Sequence, residues 1–257
     1  MHTGIFFDID GTLRDANTFY LPETTVGALQ KLREEGYFLA IATGRIMYEI
    51  SEDIRDLIDW DAFVCSNGQA IYTQKRELLS VHYFSEELVN QCIEASRKAG
   101  MPLYLTTEGG PPFITDDSNE TVNEVCSYFK MEVPPTKPYE NETILSMLAF
   151  GKSDEDFADF ENMGEIELLH GHHHFADIVL RGFSKHKGIE TVMQRFCLKE
   201  YIAFGDSLND YEMLKNADLS IAMGESHPDL ITIVDYHTNK VCEDGVMRAC
   251  EHLKLIG

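Results

Sequence analysis

Ile5-Phe6-Phe7-Asp8-Ile9-Asp10-Gly11-Thr12 opens the chain with an apolar run that stops at two aspartates and a glycine turn. Such a run reads as a buried strand, and the residues after it as a strand end. Asp8 and Asp10 are two residues apart, so both side chains can leave the same face while Ile9 enters the core. The pattern recurs. Tyr37 to Ala42 runs into Thr43-Gly44-Arg45, and Ala62 to Cys65 into Ser66-Asn67-Gly68. Tyr201 to Phe204 runs into Gly205-Asp206-Ser207, and Leu219 to Met223 into Gly224. Between the runs lie helical patterns. Pro22 opens one that carries Val26, Leu29 and Leu32 on one face and closes at Gly36; Ile189, Val192, Met193 and Phe196 mark another. Strands alternating with helices predict an α/β fold, a Rossmann-like, doubly wound parallel sheet covered on both faces. Ligands of such sheets bind beyond the carboxyl ends of the strands, where these polar residues fall.

The middle of the chain has a different pattern. One helix is expected from Ser85 to Ala99, and short strands at Pro102 to Thr106, Phe113 to Thr115, Ile144 to Phe150, Ile166 to Leu169 and Phe175 to Leu180. Pro111-Pro112 and Pro134-Pro135 punctuate them. This predicts an inserted α+β domain over residues 82–182, with the parallel-sheet core formed by 1–81 and 183–257.

The bulk properties narrow the function. The 257 residues carry a net charge of -23, which repels nucleic acid and anionic lipid and leaves both as unexpected partners. An anionic substrate then requires a local cation. The six cysteines form no C-x-x-C pair and read as reduced thiols of a cytoplasmic protein. No apolar run approaches the ~18 residues of a membrane span, and no leader pattern opens the chain. Nothing calls for more than a monomer or a weak homo-oligomer.

Asp8 and Asp10 repel each other, and a hard cation with oxygen ligands resolves that repulsion. On its own, an Asp-x-Asp-Gly stretch is equally a strand with an ordinary turn. With Thr43-Gly44-Arg45, Lys185 and Gly205-Asp206-Ser207-Leu208-Asn209-Asp210, however, it resembles the four signature motifs of the haloacid dehalogenase superfamily, in order. Ser66-Asn67-Gly68 and Phe183 to Ile189 resemble the Cof-like sugar-phosphatase branch, whose type IIB α/β cap lies between the second and third motifs.

The resemblance implies a phosphatase acting on a small phosphorylated metabolite through an aspartyl-phosphate on Asp8. It implies Mg2+ held by Asp8, Asp206 and the backbone carbonyl of Asp10, with Asp210 in support. Asp10 is then the general acid and base, and Thr43 and Lys185 contact the phosphoryl group, near Gly44, Arg45, Asn67 and Asn209. Each residue also has a plain structural reading: Thr43 and Asp206 as helix caps, Lys185 as a surface lysine with Lys187 as competitor, Asn67 as a turn residue. In the insertion, Glu108 and His172 are candidates for substrate contact. His172 belongs to a cluster, His170 to His174, that also suggests a transition-metal site. A phosphomutase or phosphotransferase of the same superfamily, or an idle binding protein on the same scaffold, are the alternatives.

Overall fold

The computed structural model describes residues 3–116, 118–128, 131–170 and 174–257. The chain divides into two compact units. Residues 3–45, 50–80 and 184–257 form the first, and the described residues of 46–49 and 81–183 the second.

The first unit is built on an eight-stranded sheet. In chain order its strands are β1 (Thr3–Phe7), β2 (Phe38–Ala42), β3 (Ala62–Cys65), β4 (Ala70–Thr73) and β5 (Leu78–Val81), the last ending at the unit boundary. The second unit contributes β6 (Leu103–Thr106), β7 (Phe113–Ile114), β8 (Ser146–Phe150), β9 (Ile166–His170) and β10 (Phe175–Leu180). The chain then returns to the first sheet with β11 (Glu200–Gly205), β12 (Leu219–Ala222) and β13 (Tyr236–His237).

The large sheet runs β13-β12-β11-β1-β2-β3-β4-β5. From β13 to β3 every pair is parallel. Ile5, Phe6 and Phe7 are all fully buried, which requires cover on both faces. Phe6 joins Ala40, Val64, Ile189 and Val192 in the core against helix Lys185–Phe196. Strand alternation sends Ile5 and Phe7 to the other face, where Phe7 stacks on Phe204 at 4.8 Å between ring centres.

One part of the sheet departs from the all-parallel expectation. β4 pairs antiparallel with β3, because Ser66, Asn67 and Gly68 between them all have positive φ (49°, 50° and 94°) and reverse the chain. A side chain on Gly68 would sit 2.2 Å from the Ser184 carbonyl, so the tightness of this turn also lets the start of helix Lys185–Phe196 approach.

The strand order reverses around β1: β2 and β3 extend one way, β11 and β12 the other. In open α/β sheets ligands bind at such a reversal, outside the carboxyl ends of the strands.

The second unit carries a five-stranded sheet, β7-β6-β8-β10-β9, antiparallel throughout. Its own core joins Val89, Cys92, Leu103, Leu105, Val122, Met147 and Ile178. Helix Glu86–Lys98 packs here, started by Ser85, whose side chain accepts a hydrogen bond from the Leu88 N–H. The acidic run after Ser153 forms helix Asp154–Glu161, which buries Phe157 and Phe160 beneath its charges.

Candidate active site

The carboxyl ends of β1 and β11 are laced together. The Asp8 N–H donates to the Phe204 carbonyl at 3.0 Å, which brings Asp8 beside the loop that starts at Asp206. After Asp8 the chain wraps around the Ile9 carbonyl, which accepts from the N–H groups of Thr12, Leu13 and Arg14. Gly11 makes the wrap feasible. Its φ is +89°, and a Cβ there would stand 2.3 Å from an Asp206 carboxylate oxygen.

Asp8, Asp206 and Asp210 each bring a carboxylate oxygen within 4.8 Å of the others. Among them lies one ammonium. Lys185 is fully buried, with Nζ 2.6 Å from Asp8 Oδ1 and 2.7 Å from Asp210 Oδ1. Lys187, two residues on, is exposed and pairs with Glu190. The surface-lysine reading therefore applies to Lys187 and fails for Lys185. The other Asp210 oxygen accepts from the N–H groups of Asp206 and Ser207 at 2.9 and 3.0 Å, so Asp210 also caps the Leu208–Asp210 turn. Asp206 is held at its side chain by the Thr12 hydroxyl, a long bond of 3.3 Å.

Three carboxylates against one ammonium leave the cluster short of positive charge. Burial pushes the Asp8 carboxyl up to about 7, against the pull of Lys185 and with the push of Asp210. Burial likewise lifts Asp206 well above the carboxylate range, helped by Asp8 and Asp210. Burial works against the Lys185 ammonium, but Asp210 and Asp8 outweigh it and keep it charged. A divalent cation fits this donor set: the ligands are oxygens, they converge, and their surplus charge is negative.

Asp10 stands in the opposite environment. Its Oδ1 accepts from Arg14 Nε at 3.0 Å and its Oδ2 from Arg45 Nε at 2.6 Å. Burial alone would raise its pKa, but the charges of Arg45 and Arg14, with their hydrogen bonds, overcome that and hold it below the carboxylate range. Sequence reasoning placed Arg45 near the substrate and passed over Arg14. The only local signal for Arg14 is its spacing of four residues from Asp10.

Around these two groups the loops are tied together. Thr43 is buried, and its hydroxyl accepts from the Arg45 N–H at 3.2 Å, the cap-like contact of its plain reading. The Ser66 N–H donates to the Arg45 carbonyl and the Asn67 N–H to that of Thr43. The Asn67 side-chain oxygen accepts from Asn209 Nδ2 at 3.2 Å, and the Asn209 oxygen accepts from the Ser207 hydroxyl. Gly44 lies in the turn between Thr43 and Arg45. Thus Asp8, Asp10, Thr43, Arg45, Asn67, Asp206, Asn209 and Asp210, from loops and turns after the strands, and Lys185, from the start of helix Lys185–Phe196, all belong to the first unit.

Glu108 belongs to the second unit and accepts a hydrogen bond from the Tyr83 hydroxyl. His172 lies outside the described residues, as do Gly171 and His173. Of the other two histidines, His170 packs its ring edge-on against Phe157 at 5.0 Å, and His174 has a φ of 39°.

This geometry has counterparts among known proteins. The profile of the haloacid dehalogenase-like hydrolases matches residues 5–250. The chain belongs to that family. A Bacillus subtilis protein, YkrA, provisionally named a phosphatase, is 28% identical over 98% of each chain. A Streptococcus pyogenes protein, whose name provisionally joins a phosphatase to a peptidyl-prolyl cis-trans isomerase, is 32% identical over 98% of this chain. The present chain spans 54% of that relative's length. Among solved structures, the sugar phosphatase BT4131, of haloacid dehalogenase subclass IIB, superposes with a TM-score of 0.88 at 28% identity, over 99% of this chain and 100% of its own. Membership in the Cof-like phosphatase branch of this haloacid dehalogenase-like family follows. Among the described residues, no helix is long and apolar enough to cross a membrane.

Proposed function

We propose that this haloacid dehalogenase-like hydrolase removes phosphate from small phosphorylated metabolites, sugar phosphates or phosphorylated cofactors, through an aspartyl-phosphate on Asp8. The observation that carries the reading is the contrast within one strand end. Asp8 sits in an anionic cluster with a buried lysine, whereas Asp10 is held apart by two arginines.

Mg2+ is the proposed cofactor. Asp8 and Asp206, with the Asp10 backbone carbonyl, would hold it, and Asp210 would support the site from its turn. When bound, it neutralises carboxylate and phosphate charge and so permits attack by one anion on another. The chain's own residues supply the rest. Asp8 attacks phosphorus, and the bond to the ester oxygen breaks. Asp10 gives its proton to that oxygen. It then takes one from the water that attacks the acyl phosphate, which frees phosphate and restores Asp8. Lys185 keeps a fixed positive charge beside Asp8 throughout.

In the free protein Asp10 is ionised. A phosphate dianion arriving beside Arg45 offsets the field of the two arginines, so Asp10 regains the proton it must donate. Thr43, Gly44 and Arg45 line the approach for the phosphoryl group, with Asn67 and Asn209 bracing the loops. The second unit would act as a cap, with Glu108 and His172 as its candidate substrate contacts. Cysteines left as thiols, not joined in disulfides, fit a cytoplasmic setting.

The test is phosphate release from a panel of phosphorylated sugars and cofactors, with Mg2+ and with chelator, beside Asp8→Asn. The expected outcome is Mg2+-dependent release that falls by at least about three orders of magnitude in Asp8→Asn, a loss of ~4 kcal/mol in transition-state stabilisation. Release that persists in Asp8→Asn rules out the aspartyl route. Phosphate appearing on an acceptor instead of in solution would identify a transferase.

A further inference from the structure

Arg14 is buried, with 5% of its surface exposed, and its side-chain partners Asp10, Ser51 and Phe19 lie within the first unit. Nε donates to Asp10 Oδ1 at 3.0 Å, Nη1 donates to the Ser51 hydroxyl at 2.9 Å, and the guanidinium lies over the Phe19 ring at 4.5 Å. Its backbone is fixed as well: the Arg14 carbonyl accepts from the Gly11 N–H at 2.7 Å, inside the turn that shapes the Asp206 site. An exposed i,i+4 ion pair contributes little to stability, whereas burying a guanidinium is costly unless its contacts are well made. Helical spacing alone therefore does not account for Arg14.

The two arginines hold different oxygens of one carboxylate. With Oδ1 on Arg14 and Oδ2 on Arg45, rotation of the Asp10 carboxylate is blocked at both ends. The Arg14 side chain is the more enclosed of the two, 6% exposed against 15% for Arg45. A proton donor must lie within about 2.6–3.2 Å of the oxygen it serves, and a 1 Å misplacement can cost about a hundredfold in rate.

We propose that Arg14 is a positioning residue for the proton-transfer step, a fixed anchor that aims the Asp10 carboxyl at the leaving oxygen. The inference rests on the phosphatase reading above. Ser51 and Phe19 steady the anchor, and Arg45, the more open partner, is the one exposed to an incoming phosphate. Arg14 touches neither substrate nor metal in this assignment; it acts only through Asp10.

The experiment compares an alkyl phosphate, whose alkoxide needs a proton to leave, with 4-nitrophenyl phosphate, whose phenolate does not. The readout is the ratio of kcat/KM for the two esters, since this constant covers only the steps up to departure of the leaving group. In Arg14→Met the alkyl-to-aryl ratio should fall about tenfold or more, a part of the roughly hundredfold or greater contribution of general acid catalysis. Arg14→Lys keeps a charge but cannot fork to Asp10 and Ser51 together, so its ratio should fall by a smaller factor. It also carries the test if Arg14→Met does not fold. A ratio within about twofold of the parent in every folded variant overturns the proposal, even if both rates drop together, because a purely structural role moves both esters alike. A parent protein that releases phosphate from neither ester overturns the phosphatase reading itself, a failure distinct from an unchanged ratio.

Discussion

Asp8 and Asp10 leave the same strand two residues apart, yet the fold gives them opposite surroundings. Asp8 looks onto Asp206 and Asp210 with one lysine to share, and its carboxyl is pushed up to about 7 by burial. Asp10 looks onto Arg14 and Arg45, which overcome its burial and hold it down. The pair shows how identical side chains acquire different chemistry. The anionic pocket has a surplus of negative charge that a cation could balance. The arginine pocket is already balanced by protein charge and suits a group that handles protons. It also bears on the net charge of -23, since the two guanidiniums gather positive charge at one strand end of an acidic chain.

The comparison breaks most severely at Lys185. Lys185→Met removes the one ammonium in the anionic pocket and leaves Asp8 and Asp210 facing each other. Phosphate release should fall about 10²–10³-fold, and denaturant unfolding should show a loss of about 3–5 kcal/mol, the usual effect of stranding a buried charge. A variant that keeps half the parent rate would remove Lys185 from the proposed mechanism.

A pH series on the metal-free protein tests both pockets at once. The folded value of Asp8, about 7, lies above its ordinary value of 3.8. Between those values the folded state binds the extra proton, so Asp8 favours folding at low pH and that contribution is lost as pH rises through 7. Asp10 has the reverse sign. Its folded value is depressed, so its contribution is present above its ordinary value of 3.8 and is lost as pH falls through the lower, folded one. In chelator, Tm should drop by roughly 5 °C between about pH 5 and about pH 8, and saturating Mg2+ at the higher pH should restore it. Asp8→Asn should flatten that slope. A Tm that holds steady without metal would contradict the strained state assigned to the anionic pocket.

The smallest effect is expected at Thr12. Its hydroxyl gives Asp206 only a 3.3 Å bond, so Thr12→Val should weaken Mg2+ activation by about fivefold, corresponding to ~1 kcal/mol for one hydrogen bond. Titration calorimetry with Mg2+ measures this directly. A hundredfold loss would instead mean that Thr12 shapes the whole Gly11 turn.

Several of these features could be read from the chain. The apolar runs that end at Asp8, Thr43, Ser66 and Asp206 form strands, and the helix expected from Ser85 to Ala99 forms as Glu86–Lys98. Strands β4 and β5 were not read, although Ala70–Thr73 is apolar enough for a strand. The direction of that strand depends on three successive positive φ values at Ser66, Asn67 and Gly68, and while Asn67 and Gly68 announce a turn, nothing in Ser66 does. Lys185 and Lys187 are separable in sequence only by motif. In space they differ plainly, because two steps along a helix turn a side chain to nearly the opposite side. Arg14 was passed over for a related reason: nothing in a turn after a strand says whether an arginine points to solvent or back toward the carboxylate four residues before it.

By itself the sequence determined where strands end and which residue types gather at those ends. These depend on apolar periodicity and turn chemistry, which act over a few neighbouring residues. Only the tertiary structure decided that Asp8 faces carboxylates and Asp10 faces arginines. That difference comes from charges up to 202 residues apart in the chain, Asp8 to Asp210, that folding sets within a few ångströms in a poorly screened interior.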